Sequence, residues 1–358
     1  MLHYTSAITY TQGMPTLYQA TSLTKNILKW GGIGLGVLMV LILLFRGGKL
    51  VANSLFPKKP IPPKAAFGKL PAIIFPESTI DQSFTYSLDT VTGSVGSFAD
   101  RANVYKTIPP VPTLLDLKTT RNYVASAGFN SSETIITDTQ YSWRDSQQID
   151  RLLTINIVSK DFTLSSNYLN YPDLTPIGEV DPADAIDKTT EFLKKIALYP
   201  MDFDPSKTAT QLLTLQGNTL FASTSLSTAQ LVRVDLFQND VNKFPVVYSH
   251  PPYSSMHFLI GGHNSGQILD ANFSHQQIGK ENTSYPIITG DTAYTMLKDG
   301  KAYIASYYGD NADITIKNVY LAYFMSDKKQ DYLMPIYVFE GKDGFFAYVS
   351  AVTSDWIL

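Results

Sequence analysis

Four of the five histidines, His250, His257, His263 and His275, fall within one short stretch of the chain, which invites a metal. Zinc needs three or four converging ligands, and the spacing matches neither HExxH nor a paired-ligand motif. His257 lies in the strand-like Met256 to Ile260, and His263 follows Gly261-Gly262 in an expected turn. Asp202 and Asp204 stand in Pro200-Met-Asp-Phe-Asp-Pro205 beside prolines, so they read as turn formers and not as the two positioned carboxylates of a hydrolase. Asp310-Asn-Ala-Asp313 lacks the glycine and terminal glutamate of an EF-hand loop and reads as a hairpin turn. Ser254-Ser255 has no GxSxG elbow, and the glycines from Gly261 to Gly266 lack the spacing of a phosphate cradle. The triplets at Asn130, Asn272 and Asn282 fit the glycosylation pattern at near-chance frequency. The chemistry-bearing residues therefore predict no catalytic site, no metal and no cofactor.

Composition narrows the function classes further. A chain of 358 residues has no cysteine, which excludes a disulfide framework and a Cys-based metal site. A net charge of −3 with 16% charged residues leaves no basic field for nucleic acid.

From Trp30 to Phe45 the chain carries no charge and no polar face, the pattern of a membrane helix. Ile27 and Leu28 extend the run, Lys29 and Arg46 can snorkel from its ends, and Trp30 suits the interface. The expected span is therefore 27–46. A cleaved signal peptide fits less well, because the polar tail of residues 1–26 is long and Arg46 stands where small residues should precede a cleavage site. Gly32 and Gly36 form a small-xxx-small pair through which a second helix could pack. Residues 47–69 follow as a juxtamembrane stalk, in which Pro57-Lys-Lys-Pro-Ile-Pro-Pro-Lys64 favours a stiff extended form.

Two α+β domains, 70–178 and 179–358, are expected beyond the stalk. In the first, strands at Phe84 to Leu88 and Arg101 to Tyr105 precede a helix from Thr113 to Ala127, with Leu114, Leu117, Tyr123 and Val124 on its apolar pattern and Gly128 ending it. Strands at Glu133 to Trp143 and Leu152 to Val158 follow. In the second, Asp181 caps a helix begun by Pro182 and running to Leu198, with Ala185, Ile186, Phe192, Leu193 and Ile196 as one stripe. Strands at Gln211 to Leu215, Thr219 to Ser223 and Leu231 to Phe237 come next. A short helix from Asp291 to Lys298 then leads into strands at Ala302 to Ser306, Ile314 to Met325, Tyr332 to Phe339 and Phe345 to Val352. Helix followed by antiparallel hairpins, used more than once, is an α+β plan in which each helix covers a sheet face.

Ala293-Tyr-Thr-Met-Leu-Lys-Asp-Gly300, Asn318-Val-Tyr-Leu-Ala-Tyr-Phe324, Pro335-Ile-Tyr-Val-Phe339 and Tyr348-Val-Ser-Ala351 resemble the helix and strands of the YycH/YycI group, relatives of the PepSY domain. The resemblance covers Val180 to Val352. It implies repeated helix-plus-sheet units on a single-span bacterial protein whose extracytoplasmic domain regulates a membrane sensor kinase. The positive-inside count points the other way, since Lys25 and Lys29 precede the span while Arg46, Lys49, Lys58, Lys59 and Lys64 follow it. A long domain is exported largely regardless of flanking charge, so the expected orientation places it outside the cytoplasm.

Aromatic residues crowd the last strands. Leu321, Tyr323 and Val338 are expected in the core, and Tyr307, Tyr308 and Tyr332 form the candidate interaction surface, because tyrosine gives large contact area at low entropy cost. The expected function is a membrane-anchored extracytoplasmic regulatory or scaffold module that binds a protein partner, with the bilayer itself and a second helix as further partners. A cell-surface binding protein for cell-wall glycan or another cell is the alternative. A membrane-anchored hydrolase comes third.

Overall fold

The computed structural model describes Leu35, Gly36, Met39 and Ile80 and residues 64–78, 82–145, 151–262 and 267–358. The chain divides into two units, Met1–Pro62 and Pro63–Leu358. In the first, Leu35, Gly36 and Met39 are helical and exposed, and a Cβ on Gly36 would meet no described atom within 4 Å. The rest of the expected span, Gly32 included, lies outside the described residues. Among the described residues no helix is long and apolar enough to cross a membrane.

In chain order the second unit begins with β1 (Thr85–Leu88), β2 (Arg101–Thr107), α1 (Asp116–Ser126), β3 (Thr134–Ile135), β4 (Gln140–Arg144), β5 (Leu152–Asn156) and β6 (Phe162–Ser165). It continues through α2 (Pro182–Lys195), β7 (Ala209–Gln216), β8 (Thr219–Ala222), β9 (Leu231–Asp235), β10 (Val246–Val247), β11 (Met256–Ile260), β12 (Ile268–Phe273) and β13 (Ile278–Pro286). It closes with α3 (Gly290–Lys298), β14 (Tyr303–Ser306), β15 (Asp313–Phe324), β16 (Tyr332–Gly341) and β17 (Phe346–Ser350).

A nine-stranded antiparallel sheet has the order β3-β4-β5-β6-β12-β11-β9-β7-β8. Its core face buries Trp143, Leu153, Phe162, Phe258 and Phe273 against Val124 of α1 and Ala185, Phe192 and Leu193 of α2. The start of α2 is the clearest local case: Asp181 accepts a hydrogen bond from the Ala183 N–H at 2.8 Å, and Pro182 needs no N–H partner there. Four of its five expected stripe residues are buried, Ile186 being half-buried, and Thr189 is buried with its hydroxyl bonded to the Ala185 carbonyl at 2.9 Å.

The eight-stranded sheet has the order β1-β15-β16-β17-β14, with β10 beside the end of β15 and β2 joining β13 to β16. β1 and β10 both pair with β15 in parallel; the other pairings are antiparallel. β16 is buried from Leu333 to Phe339, as expected for a strand covered on both faces. α3 places Ala293 and Leu297 against Ile287, Phe339 and Val349. Tyr323, Met325 and Leu333 of this sheet enter the same cluster as Phe258 and Phe273 of the other, so one core joins both sheets.

The α+β class and the helix-on-sheet plan are present. The division into domains 70–178 and 179–358 is corrected. β1 and β2 of the first stretch pair with β15, β13 and β16 of the second, and β6 pairs with β12. The turn chemistry near Pro176 marks a tight turn, with Gly178 at φ +75° and its N–H bonded to the Ala229 carbonyl at 2.8 Å. Other differences are local. The single strand expected over Glu133 to Trp143 is the hairpin of β3 and β4, because Thr137 Oγ1 accepts from the Gln140 N–H at 3.0 Å and turns the chain. In α1, Val124 is buried and Leu117 half-buried, whereas Leu114 and Tyr123 are exposed; the helix starts at Asp116, three residues later than expected. Asp310 to Asp313 lies between β14 and β15, which are not neighbours in the sheet, so the segment is a crossover loop and not a hairpin turn.

Candidate binding cleft

The connector from β12 to β13 carries the chain from one sheet to the other, and His275 stands on it. After α2, Ala197 takes φ +57° and the following loop is fixed by two backbone bonds, Asp204 N–H to Phe237 O at 2.9 Å and Asn239 N–H to Asp202 O at 2.7 Å. These place Asp202 Oδ1 2.8 Å from His275 Nε2, while Gln238 Nε2 donates to Asp202 Oδ2 at 2.8 Å. Burial pushes the Asp202 carboxyl up, but the hydrogen bond and charge of His275 with the Gln238 bond outweigh it and hold the group below its ordinary value.

Lys329, in the turn between β15 and β16, donates to Asp161 Oδ1 at 2.7 Å and to the His275 carbonyl at 2.8 Å. The neighbouring Gln276 donates to the Gln330 carbonyl at 2.6 Å and accepts from the Gln330 N–H at 3.1 Å. Lys160 pairs with Asp116 at 3.2 Å. Around these groups lies a cleft of about 510 Å³ walled by Pro109, Tyr199, Met201, Phe273, Gln276 and Lys329. Asp202 also lines a second hollow of about 420 Å³ with Tyr105, Asp240 and Lys280. The arrangement offers apolar walls and a rim of charges already neutralised by protein partners, which suits reversible contact with a mixed surface.

Sequence spacing did not join Asp202 to His275, since 73 residues separate them. The remaining candidates are scattered. Asp204 starts a single 3₁₀ turn, accepting from the Ser206 N–H at 3.0 Å, as its turn-forming reading anticipates. His257 lies on β11 and is half-buried, its Nδ1 3.2 Å from the Ser254 carbonyl; burial lowers its pKa, helped by Arg233. His263 lies outside the described residues. Among the described residues no three His, Asp or Glu side chains converge as metal ligands.

Leu321, Tyr323 and Val338 are buried as expected. Of the three candidate surface tyrosines, Tyr308 is 63% exposed, its ring lying over Gly344, where a Cβ would collide with it. Tyr307, expected to face outward, is half-buried instead. Its ring meets Phe84 at 5.4 Å and Phe345 at 6.0 Å, and its hydroxyl donates to the Asn311 carbonyl at 2.7 Å. Tyr332 is half-buried beside Phe67, ring centroids 5.4 Å apart, and lines a groove of about 280 Å³ with Pro71, Ile73 and Ile74.

A second polar feature crosses the nine-stranded sheet on the face away from its main core. The register sets Ser142, Thr154, Thr163, Asn272, His257 and Asp235 directly opposite one another in sequence across six strands. Directly opposed residues of an antiparallel sheet share a face, so this is one continuous polar row. A hollow of about 330 Å³ opens on it at Thr154, Asn156, Thr163 and Asn272. The sequence drew attention to His257 and Asn272 for other reasons, and only the strand register joins them to Ser142, Thr154, Thr163 and Asp235.

No family model and no curated protein matches the sequence. Among solved structures, the fold is similar to that of an uncharacterised protein from Eubacterium rectale, with a TM-score of 0.42 and 12% identity, covering 71% of this chain and 84% of that one.

Proposed function

We propose that this protein is a single-span, membrane-anchored extracytoplasmic module of the YycH/YycI-like kind that acts by binding a protein partner and not by catalysis. The cleft around His275 and Asp202 carries this reading. Its charges are paired within the protein, its walls set proline, tyrosine, methionine and phenylalanine beside Gln276 and Lys329, and it sits where the two sheets share a core. Such a surface can hold a partner without leaving a buried charge unpaired. The apolar run from Trp30 to Phe45 supplies the anchor, and the domain that follows lies outside the cytoplasm. The test is crosslinking of the full chain in its native membrane, comparing the wild type with Met201→Asp and His275→Ala. A partner protein whose yield falls in both variants supports the reading. An unchanged set of crosslinks, or a hydrolytic activity lost in His275→Ala at unchanged stability, overturns it.

The accessible middle of the polar row, Thr154, Thr163, Asn272 and His257, favours a second reading, a surface binder of neutral glycan, because closely spaced hydroxyl, amide and imidazole groups match sugar hydroxyls. Binding of solubilised cell-wall glycan that is lost in Asn272→Ala would favour it over the first.

A further inference from the structure

Residues 71–78, Pro-Ala-Ile-Ile-Phe-Pro-Glu-Ser, cross the eight-stranded sheet on the face opposite α3 without joining it. Their exposure alternates as in a strand: Ile73 and Phe75 are half-buried, while Ala72 is exposed and Ile74 is 73% exposed. Yet from Pro71 to Glu77 no backbone group or side chain hydrogen-bonds to any described residue. Apolar contact alone holds the segment. Phe75 stacks on Tyr303, ring centroids 5.3 Å and planes 11° apart, and meets Phe324 at 4.9 Å and Tyr348 at 6.4 Å. Ile73 packs on the same cluster. The ends are fixed separately, by the Leu70 N–H on the Trp356 carbonyl at 2.8 Å and the Ser78 hydroxyl on the Ile304 carbonyl at 3.3 Å.

We propose that residues 71–77 are an internal ligand, and that the face beneath them is a docking site for an extended segment of a protein partner carrying an aliphatic and an aromatic residue two positions apart. The proposal rests neither on the cleft around His275 nor on the membrane anchor. Three observations favour this occupant. The first is the segment now seated there, which shows that the face holds an extended chain by alternate side chains and asks for no ladder bonds.

The second is the state of the face itself. The Tyr303 hydroxyl donates to the Ser249 carbonyl at 2.9 Å and the Tyr348 hydroxyl to the Tyr248 carbonyl at 3.1 Å. When the segment lifts, both tyrosines beneath Phe75 keep their partners and no hydrogen bond of residues 71–77 is broken. Only apolar and aromatic surface is uncovered.

The third is room. A groove of about 280 Å³ stays open between Pro71, Ile73 and Ile74 on one side and Phe324, Tyr332 and Met334 on the other. Because the segment is tied at both ends, its high local concentration keeps the site closed to weak competitors. A partner that also fills the groove gains contacts the segment does not make.

The experiment uses the full chain and a fluorescent peptide of residues 70–78, Leu-Pro-Ala-Ile-Ile-Phe-Pro-Glu-Ser, read by anisotropy. Phe75→Ala loosens the internal competitor and is expected to bind the peptide one to one and about tenfold more tightly than the wild type. The same peptide carrying Ile73→Ser and Phe75→Ser is expected not to bind. Melting curves check that the variant is folded; if it is not, Phe75→Leu, which keeps an apolar side chain on the face, takes its place with a smaller gain expected. No gain over the wild type in a folded variant, or equal binding of the serine-substituted peptide, overturns the proposal. Dimerisation of the wild type that is lost on Phe75→Leu, with no gain in peptide binding, overturns it in favour of exchange of the segment between two copies. Crosslinking through Met201 and His275 reads the cleft separately, so failure of one reading leaves the other standing.

Discussion

His275 Nε2 and Asp202 Oδ1, 2.8 Å apart, tie the connector between the two sheets to the loop that leaves α2. The pair closes a circuit, because Gln238 bonds both Asp202 Oδ2 at 2.8 Å and the Gln276 carbonyl at 3.1 Å. A change of charge at Asp202 is therefore felt by both sheets.

The folded Asp202 carboxyl is held below its ordinary value of 3.8. A carboxylate depressed in the folded state adds stability that is complete above the unfolded value and disappears as pH falls through the folded one. Thermal melts taken from about pH 7 down to about pH 2 should show the wild type losing its advantage over Asp202→Asn below the ordinary carboxylate range. At neutral pH the variant should be less stable by about 1–2 kcal/mol. Parallel pH curves for the two proteins would show that the pair contributes nothing.

Leu193 is fully buried between α2 and the nine-stranded sheet. Leu193→Ala should cost about 2–5 kcal/mol, through lost transfer energy and the cavity left behind. Urea denaturation monitored by tryptophan fluorescence measures it, with Trp143 reporting from the same cluster.

Residues 179–358 should not fold alone. Without the earlier chain, β12 loses β6, β13 loses β2, and β15 loses its parallel partner β1, leaving open edges in both sheets. Residues 64–358 should melt in one cooperative step, and the shorter fragment should aggregate or melt without cooperativity. A sharp transition from 179–358 would restore the boundary at residue 178.

Tyr307 and Tyr308 are adjacent yet differently placed. Tyr307→Phe removes the bonds to the Asn311 carbonyl, 2.7 Å, and from the Asn311 N–H, 3.0 Å, and should cost about 1 kcal/mol. Tyr308→Ala, at a side chain 63% exposed, should stay within about 0.5 kcal/mol. Chemical denaturation of the two variants side by side tests the assignment.

Elements governed by local rules were legible in the sequence. Asp181 and Pro182 locate the start of α2, Met256–Ile260 reads as a strand and is one, and the last four strands fall within two residues of their expected bounds. Elements set by pairing were not. β13 pairs with β2, far away in the chain, and is largely polar, so no apolar alternation announces it. The same cause hid the cleft. Asp202 looked like a turn residue because its neighbours are prolines, and its pairing with His275 exists only after β12 and β13 have been assigned to different sheets.

The two ends of the folded unit are laced together: Leu70 N–H bonds to the Trp356 carbonyl at 2.8 Å, and Leu358 N–H to the Leu70 carbonyl at 2.8 Å. Mechanical pull arriving through the tether at residue 64 would meet the Ala65 bond to Ser284 and then this clasp. Because Leu70 and Ile357 run parallel, tension along the tether loads their bonds in shear, all together, where an antiparallel clasp would be peeled one bond at a time. The C-terminal residues would then be the fastening by which the domain withstands force, and trimming them would lower the load at which its first strands tear free.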